Sequence, residues 1–160
     1  MASLPKPLPS EFVVWRPMRT ADVAYVAALE AQIHAAPWTA GNFRDALAAG
    51  YAAQVAERAG RVVAFGVMML APGEAQILNV SVVPDTRRQG LGRDLVLRFL
   101  DDAARMGALQ VFLEVRVGNA PAIALYEGTG FVRIARRANY YPAGSDGARE
   151  DALVMRRGLP

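Results

Sequence analysis

The chain has 160 residues, 21% of them charged, and a net charge of +3 to which arginine contributes nearly all the positive side chains, Lys6 being the single lysine. That length suits one domain able to bury roughly two thirds of its unfolded surface without cross-links. There is no cysteine and one histidine, His34, which excludes a cysteine acyl-enzyme and a Cys/His zinc site.

The first element is a short apolar strand over residues 12–15, closed by Arg16-Pro17. Thr20 is placed to cap a helix whose Val23, Val26, Ala27 and Ile33 share one face until Pro37 ends it. Trp38-Thr39 opens a second short helix that runs to Leu47 and stops at Gly50. Strands follow at residues 52–58 and 62–70 with Ala59-Gly60 as the hairpin turn, and Pro72-Gly73 leads into a third at 75–83. A helix over residues 91–106 buries Leu95, Phe99 and Ala103, sets Asp94/Arg98 and Asp101/Arg105 on its wet face, and ends at Gly107. A strand over 109–115, a helix over 120–129 between Asn119 and Gly130, and strands over 131–139 and 152–156 complete the chain, the last two joined by the polar loop YPAGSDGARE. Strands alternate with helices only in part, so a single α/β (α+β) domain with a mixed sheet flanked by helices is expected over residues 11–160, behind a flexible tail of residues 1–10. That tail holds three prolines and lacks the continuous apolar core of a secretory signal. No apolar run approaches the ~18 residues of a membrane span. A cytoplasmic protein without a membrane partner is expected, and no oligomer interface is legible.

Residues 77–92, ILNVSVVPDTRRQGLG, carry a strand into an Arg/Gln/Gly loop at the start of an amphipathic helix. First-turn helix amides lack carbonyl partners and sit at the positive end of the dipole, so a diphosphate can replace the missing acceptors. Gly90 and Gly92 allow close backbone approach, and Arg87, Arg88 and Arg93 supply charge. The arginines are otherwise dispersed and not interleaved with aromatics, so nucleic acid is not expected as the main partner.

Together with residues 113–131, LEVRVGNAPAIALYEGTGF, this loop resembles the GNAT N-acetyltransferases, whose acetyl-CoA loop reads Q/R-x-x-G-x-G/A. Within them, LEVR, NAPAIALYE, NYYP and RED look like the ribosomal-protein-alanine N-acetyltransferases, which acetylate the N-terminal alanine of a small-subunit ribosomal protein. The resemblance implies a mostly antiparallel sheet with about four helices, acetyl-CoA as co-substrate and no metal. It places backbone groups of Val80, Ser81 and Val82 at the pantetheine arm, Arg87, Arg88, Gln89, Gly90, Leu91, Gly92 and Arg93 at the pyrophosphate, and Asn119 at a pantetheine amide. Plain strand packing and helix capping are the alternatives for Val80 to Val82 and for Asn119.

Glu114 is the one charged residue of an apolar strand, where a buried carboxylate costs several kcal/mol unless paired or neutralised. Partial burial would raise its pKa and make it a base, as the glutamate of the resembled family is; the alternative is a strand-end pair with Arg116. Tyr126 stands where that family carries the acid for the departing thiolate, or else anchors the core beside Ile123 and Leu125. His34 and Trp38, between the first two helices, and Tyr140 and Tyr141, between the last two strands, match loops that flank a peptide; each could equally be a packing or capping residue. Gly118, Pro121 and a longer, Gly-rich loop over residues 143–149 depart from the family pattern, and the loop puts peptide specificity in more doubt than catalysis. The expected activity is direct acetyl transfer to a protein N-terminal α-amine, that of a ribosomal alanine. A lysine or small-amine acetyltransferase and a non-catalytic acyl-CoA-binding module are the rivals, and retention of both Glu114 and Tyr126 argues against the second.

Overall fold

The computed structural model describes residues 12–142 and 148–160. The tail expected over residues 1–10 lies outside them, as do residues 143–147 of the polar loop near the C-terminus. Seven strands, β1 (Val13–Pro17), β2 (Ala52–Arg58), β3 (Arg61–Ala71), β4 (Glu74–Val82), β5 (Gln110–Arg116), β6 (Val132–Tyr141) and β7 (Glu150–Gly158), form one sheet in the order β1-β2-β3-β4-β5-β7-β6. Every neighbouring pair is antiparallel except β4 and β5. Those two are parallel because a helix, α3 (Leu91–Arg105), carries the chain back over the sheet between them.

Side-chain alternation distributes the helices over both faces. On one face Leu95, Val96 and Phe99 of α3, with Ile123 and Tyr126 of α4 (Ala120–Gly128), pack on Met68, Ile77, Leu113 and Met155. On the other, Val23 and Val26 of α1 (Val23–Ile33), with Phe43 and Ala46 of α2 (Ala40–Ala48), pack on Val55, Phe65 and Val67. Asp101 and Arg105 of α3 pair at 2.8 Å, as the helical spacing predicts, whereas the Arg98 guanidinium lies 4.8 Å over the ring of Trp15.

Two expectations are corrected at the N-terminal end. Arg16 and Pro17 belong to β1 rather than closing it; β1 is an edge strand, where a proline is tolerated. Thr20 does not cap α1 but opens a 3-10 turn, Thr20–Asp22. Asp22, which precedes α1, makes no side-chain cap to it; its Oδ2 accepts from the Arg19 amide at 2.7 Å, across the 3-10 turn, and from Arg16 Nη1 at 2.7 Å, while Arg16 Nη2 also reaches Glu57 at 2.7 Å. Thr39 does cap α2, its Oγ1 accepting from the Asn42 amide at 3.1 Å.

The central irregularity is in β4. Met68 of β3 faces Ile77, but the next residue, Val67, faces Asn79, so Leu78 is an extra residue in β4. The parallel ladder to β5 ends at the same place, at Ile77 opposite Leu113. Beyond it β4 and β5 diverge and open a V in the middle of the sheet.

Among the described residues no helix is long and apolar enough to cross a membrane, and no three His, Asp or Glu side chains gather to hold a metal ion.

Candidate active site where the strands diverge

From Asn79 to Val82, β4 remains paired to β3 and carries no ladder partner towards β5, so one edge of its main chain is free at the V. Val80 packs on the α3 side, and Val82 packs beside Leu91, Ala56, Val63 and Ala64. Ser81 points to the opposite face, as its pairing with Phe65 requires, and is 1% exposed. The strand is thus both core and open edge.

A 3-10 turn, Pro84–Thr86, leads into an exposed run of Arg87, Arg88, Gln89 and Gly90. Arg88 and Gly90 are left-handed, at φ 65° and 81°, and Gly90 heads α3 without any side chain capping the first turn. Leu91 is buried and fixes where the helix begins. The result is an uncapped helix N-terminus beside exposed guanidinium groups, which is donor geometry and charge suited to a diphosphate. Gln89 Oε1 accepts from Arg58 Nη1 at 2.5 Å, and Arg93 Nη1 donates to the Gly128 carbonyl at 3.5 Å. Gly92 answers to a different constraint: a Cβ there would stand 3.1 Å from Leu125 Cδ2 and 3.6 Å from Val82 Cγ2, so its missing side chain lets α4 close on α3. Free strand edge, uncapped helix start and arginines together fit the pantetheine arm and diphosphate of acetyl-CoA.

Glu114 alternates with Leu113 and Val115 on β5 and so projects on the α1/α2 side of the sheet, with 16% of its side chain exposed. Its Oε1 lies 3.6 Å from Arg137 Nη1 of β6. Arg116, the partner weighed from sequence, turns instead to Glu150 Oε1 at 3.4 Å and lies 4.4 Å over the ring of Tyr141. The hydroxyl of Tyr140 is hydrogen-bonded to Glu114, and that bond, then burial, holds the phenol above its usual pKa. Burial first, then the nearby Glu114 and Tyr140, pushes Tyr141 up to about 12. The Tyr140 and Tyr141 rings meet edge-on at 5.1 Å. Tyr126 rises from the other face: it is 8% exposed, edge-on to Phe131 at 5.9 Å, and its pKa is raised by burial, with Tyr141 adding to the effect. It is therefore a core aromatic whose hydroxyl keeps its proton at neutral pH. Gln76, Phe112, Glu114, Arg137 and Val154 line a cleft of about 290 Å3 beside this cluster. Asn119 caps α4, its Oδ1 accepting from the Ala122 amide at 3.3 Å.

His34 and Trp38 stand apart from Glu114 and its tyrosines, at the connection between α1 and α2. The Trp38 ring packs on Phe43 at 5.1 Å, while its amide and the His34 ring gather with Ser81 around Glu30. Sequence reasoning passed over Glu30, although its spacing from Val23 and Val26 places a carboxylate on the buried stripe of α1.

The fold and this site define an acyltransferase, and the chain belongs to the Acetyltransferase (GNAT) family, which it matches over residues 19–131. It is an acetyl-CoA-dependent N-acetyltransferase. It is 38% identical over 138 residues to the ribosomal protein bS18-alanine N-acetyltransferase of Escherichia coli K12, across 86% of this chain and 92% of that one. The enzyme of the same name from Haemophilus ducreyi is 32% identical over 79% of this chain and 87% of its own. Among solved structures, the ribosomal-protein-S18-alanine N-acetyltransferase from Escherichia coli superposes with a TM-score of 0.86 at 36% identity, covering 92% of this chain and 94% of that one.

Proposed function

We propose that this enzyme acetylates the N-terminal α-amine of a protein, with the alanine that opens a small-subunit ribosomal protein as substrate. The names of the relatives at 38% and 32% identity support the substrate. One observation carries the chemistry: Glu114 meets Tyr140 and Tyr141 beside the opening between β4 and β5, with Tyr126, on the opposite face, near enough to Tyr141 to feel its charge.

When bound, acetyl-CoA supplies an acetyl thioester. Main-chain groups of Val80, Ser81 and Val82 orient the arm of the co-substrate, and Asn119 adds a contact beyond its capping bond. Residues Arg87, Arg88, Gln89, Gly90, Leu91, Gly92 and Arg93 hold the diphosphate. Glu114 accepts the proton of the attacking amine; an α-amine with an ordinary pKa of about 7.7–8.0 asks less of a carboxylate base than a lysine at ~10.4. Tyr126 Oη, kept protonated by burial, gives its proton to the departing sulfur. His34, Trp38, Tyr140 and Tyr141 flank the peptide.

Peptides that differ only in the first residue test the reading, with N-blocked lysine peptides as controls. Acetylation of the Ala-initiated peptide above all others is expected. Faster modification of the blocked lysine peptides would replace the α-amine with a side-chain amine.

A further inference from the structure

Glu30 is a buried carboxylate, 1% exposed, with donors on both oxygens. Oε1 receives Asn79 Nδ2 at 3.1 Å and Ser81 Oγ at 3.1 Å, with His34 Nε2 at 3.4 Å, and Oε2 receives the Trp38 amide at 3.0 Å. These partners come from two places: His34 and Trp38 from the α1–α2 connection, Asn79 and Ser81 from the part of β4 beyond the Leu78 bulge. Proton counting orders the cluster further. Ser81 Oγ has a single hydrogen and two acceptors in reach, Glu30 Oε1 and Asn79 Oδ1 at 2.8 Å, so the His34 Nε2 that lies 2.8 Å from it must be the donor. His34 is thereby held through Nε2–H, while 37% of its side chain stays exposed.

We propose that Glu30 is a positioning residue for acetyl transfer: through His34 and the Trp38 amide it locks the α1–α2 connection, a wall of the peptide cleft, onto the open arm of β4. This rests on the placement of peptide and co-substrate given above. A carboxylate is a poor choice for stability alone, because a well-packed apolar side chain would avoid its desolvation cost. What it provides is fixed geometry. The α1–α2 connection and β4 are far apart in sequence and meet on one acceptor, and small misplacements of reacting groups are expensive, ~10²-fold in rate for about 1 Å.

The test is steady-state kinetics of Glu30→Gln with an Ala-initiated peptide at saturating acetyl-CoA. Glutamine keeps the shape but sets an NH2 against one of the donors. The expected result is a fall in peptide kcat/KM of ~10–100-fold, mostly through KM, with the acetyl-CoA-induced melting shift retained. Ser81→Ala should give a smaller defect in the same direction, and the double variant should be no worse than Glu30→Gln alone, as coupled residues require. A folded Glu30→Gln enzyme with wild-type peptide KM and kcat overturns the proposal. Should that variant not fold, His34→Gln and Ser81→Ala decide, and unchanged peptide KM in both overturns it equally. Wild-type enzyme that ignores the Ala-peptide but modifies a blocked lysine peptide overturns the substrate reading alone, and the same variants are then compared on that acceptor.

Discussion

Glu114 and Arg116 share one face of β5 yet serve different partners: Arg137 reaches Glu114 at 3.6 Å from β6, while Arg116 turns to Glu150 at 3.4 Å. The carboxylate at the cleft is matched by a cation from a neighbouring hairpin, which also delivers the Tyr140 hydroxyl to it. Glu114 is thus held from the β6 side, by Arg137 and Tyr140 of that strand.

Glu114→Gln removes the proton acceptor and keeps the shape. Turnover should drop by roughly 10²–10⁴-fold, the usual worth of general-base help, while acetyl-CoA still raises the melting temperature. Wild-type turnover in the purified variant would remove Glu114 from the mechanism.

Tyr126→Phe keeps the ring edge-on to Phe131 and deletes the hydroxyl. A fall in kcat with little change in melting temperature is expected, and the deficit should shrink with an acyl donor whose thiol is more acidic. An equal deficit with both donors would mean that the sulfur finds its proton elsewhere.

Gly92→Val tests helix packing apart from co-substrate binding. A Cβ at that position already stands 3.1 Å from Leu125, so the added methyl groups should cost about 1–3 kcal/mol of stability before any ligand is present. Thermal unfolding of the ligand-free variant decides it; an unmoved midpoint would show that α4 shifts freely.

Asp22 should make the stability of the wild type depend on pH in a defined direction, a dependence that Asp22→Asn removes. Its hydrogen bonds from Arg16, then from the Arg19 amide, hold the Asp22 carboxyl below the usual carboxylate range. A depressed pKa contributes stability that is complete above the unfolded value, about 3.9, and is lost as pH falls through the folded one. The variant should therefore melt below wild type at pH 7, with the gap closing under about pH 4. A gap as wide in acid as at neutrality would rule out linkage through this carboxyl.

The sequence by itself determined the order of elements, the two-residue turn at Ala59-Gly60 and the uncapped glycine start of α3, because each is set by neighbours a few residues apart. It also carried the family, through residues that lie close together along the chain. Other features were decided only in three dimensions. An unbroken alternation from Ile77 would send Asn79 and Ser81 to the α3 face; the extra residue at Leu78 turns them towards α1, and nothing local in ILNVSV marks it, since a bulge is defined by the register with β3. Whether Glu114 pairs with Arg116 or Arg137 depended on the strand order that sets β7 and β6 beside β5. Glu30 was visible as a charge on an apolar stripe, but its meaning came from β4, some fifty residues on, whose side chains complete the donor set that makes a buried carboxylate tolerable there.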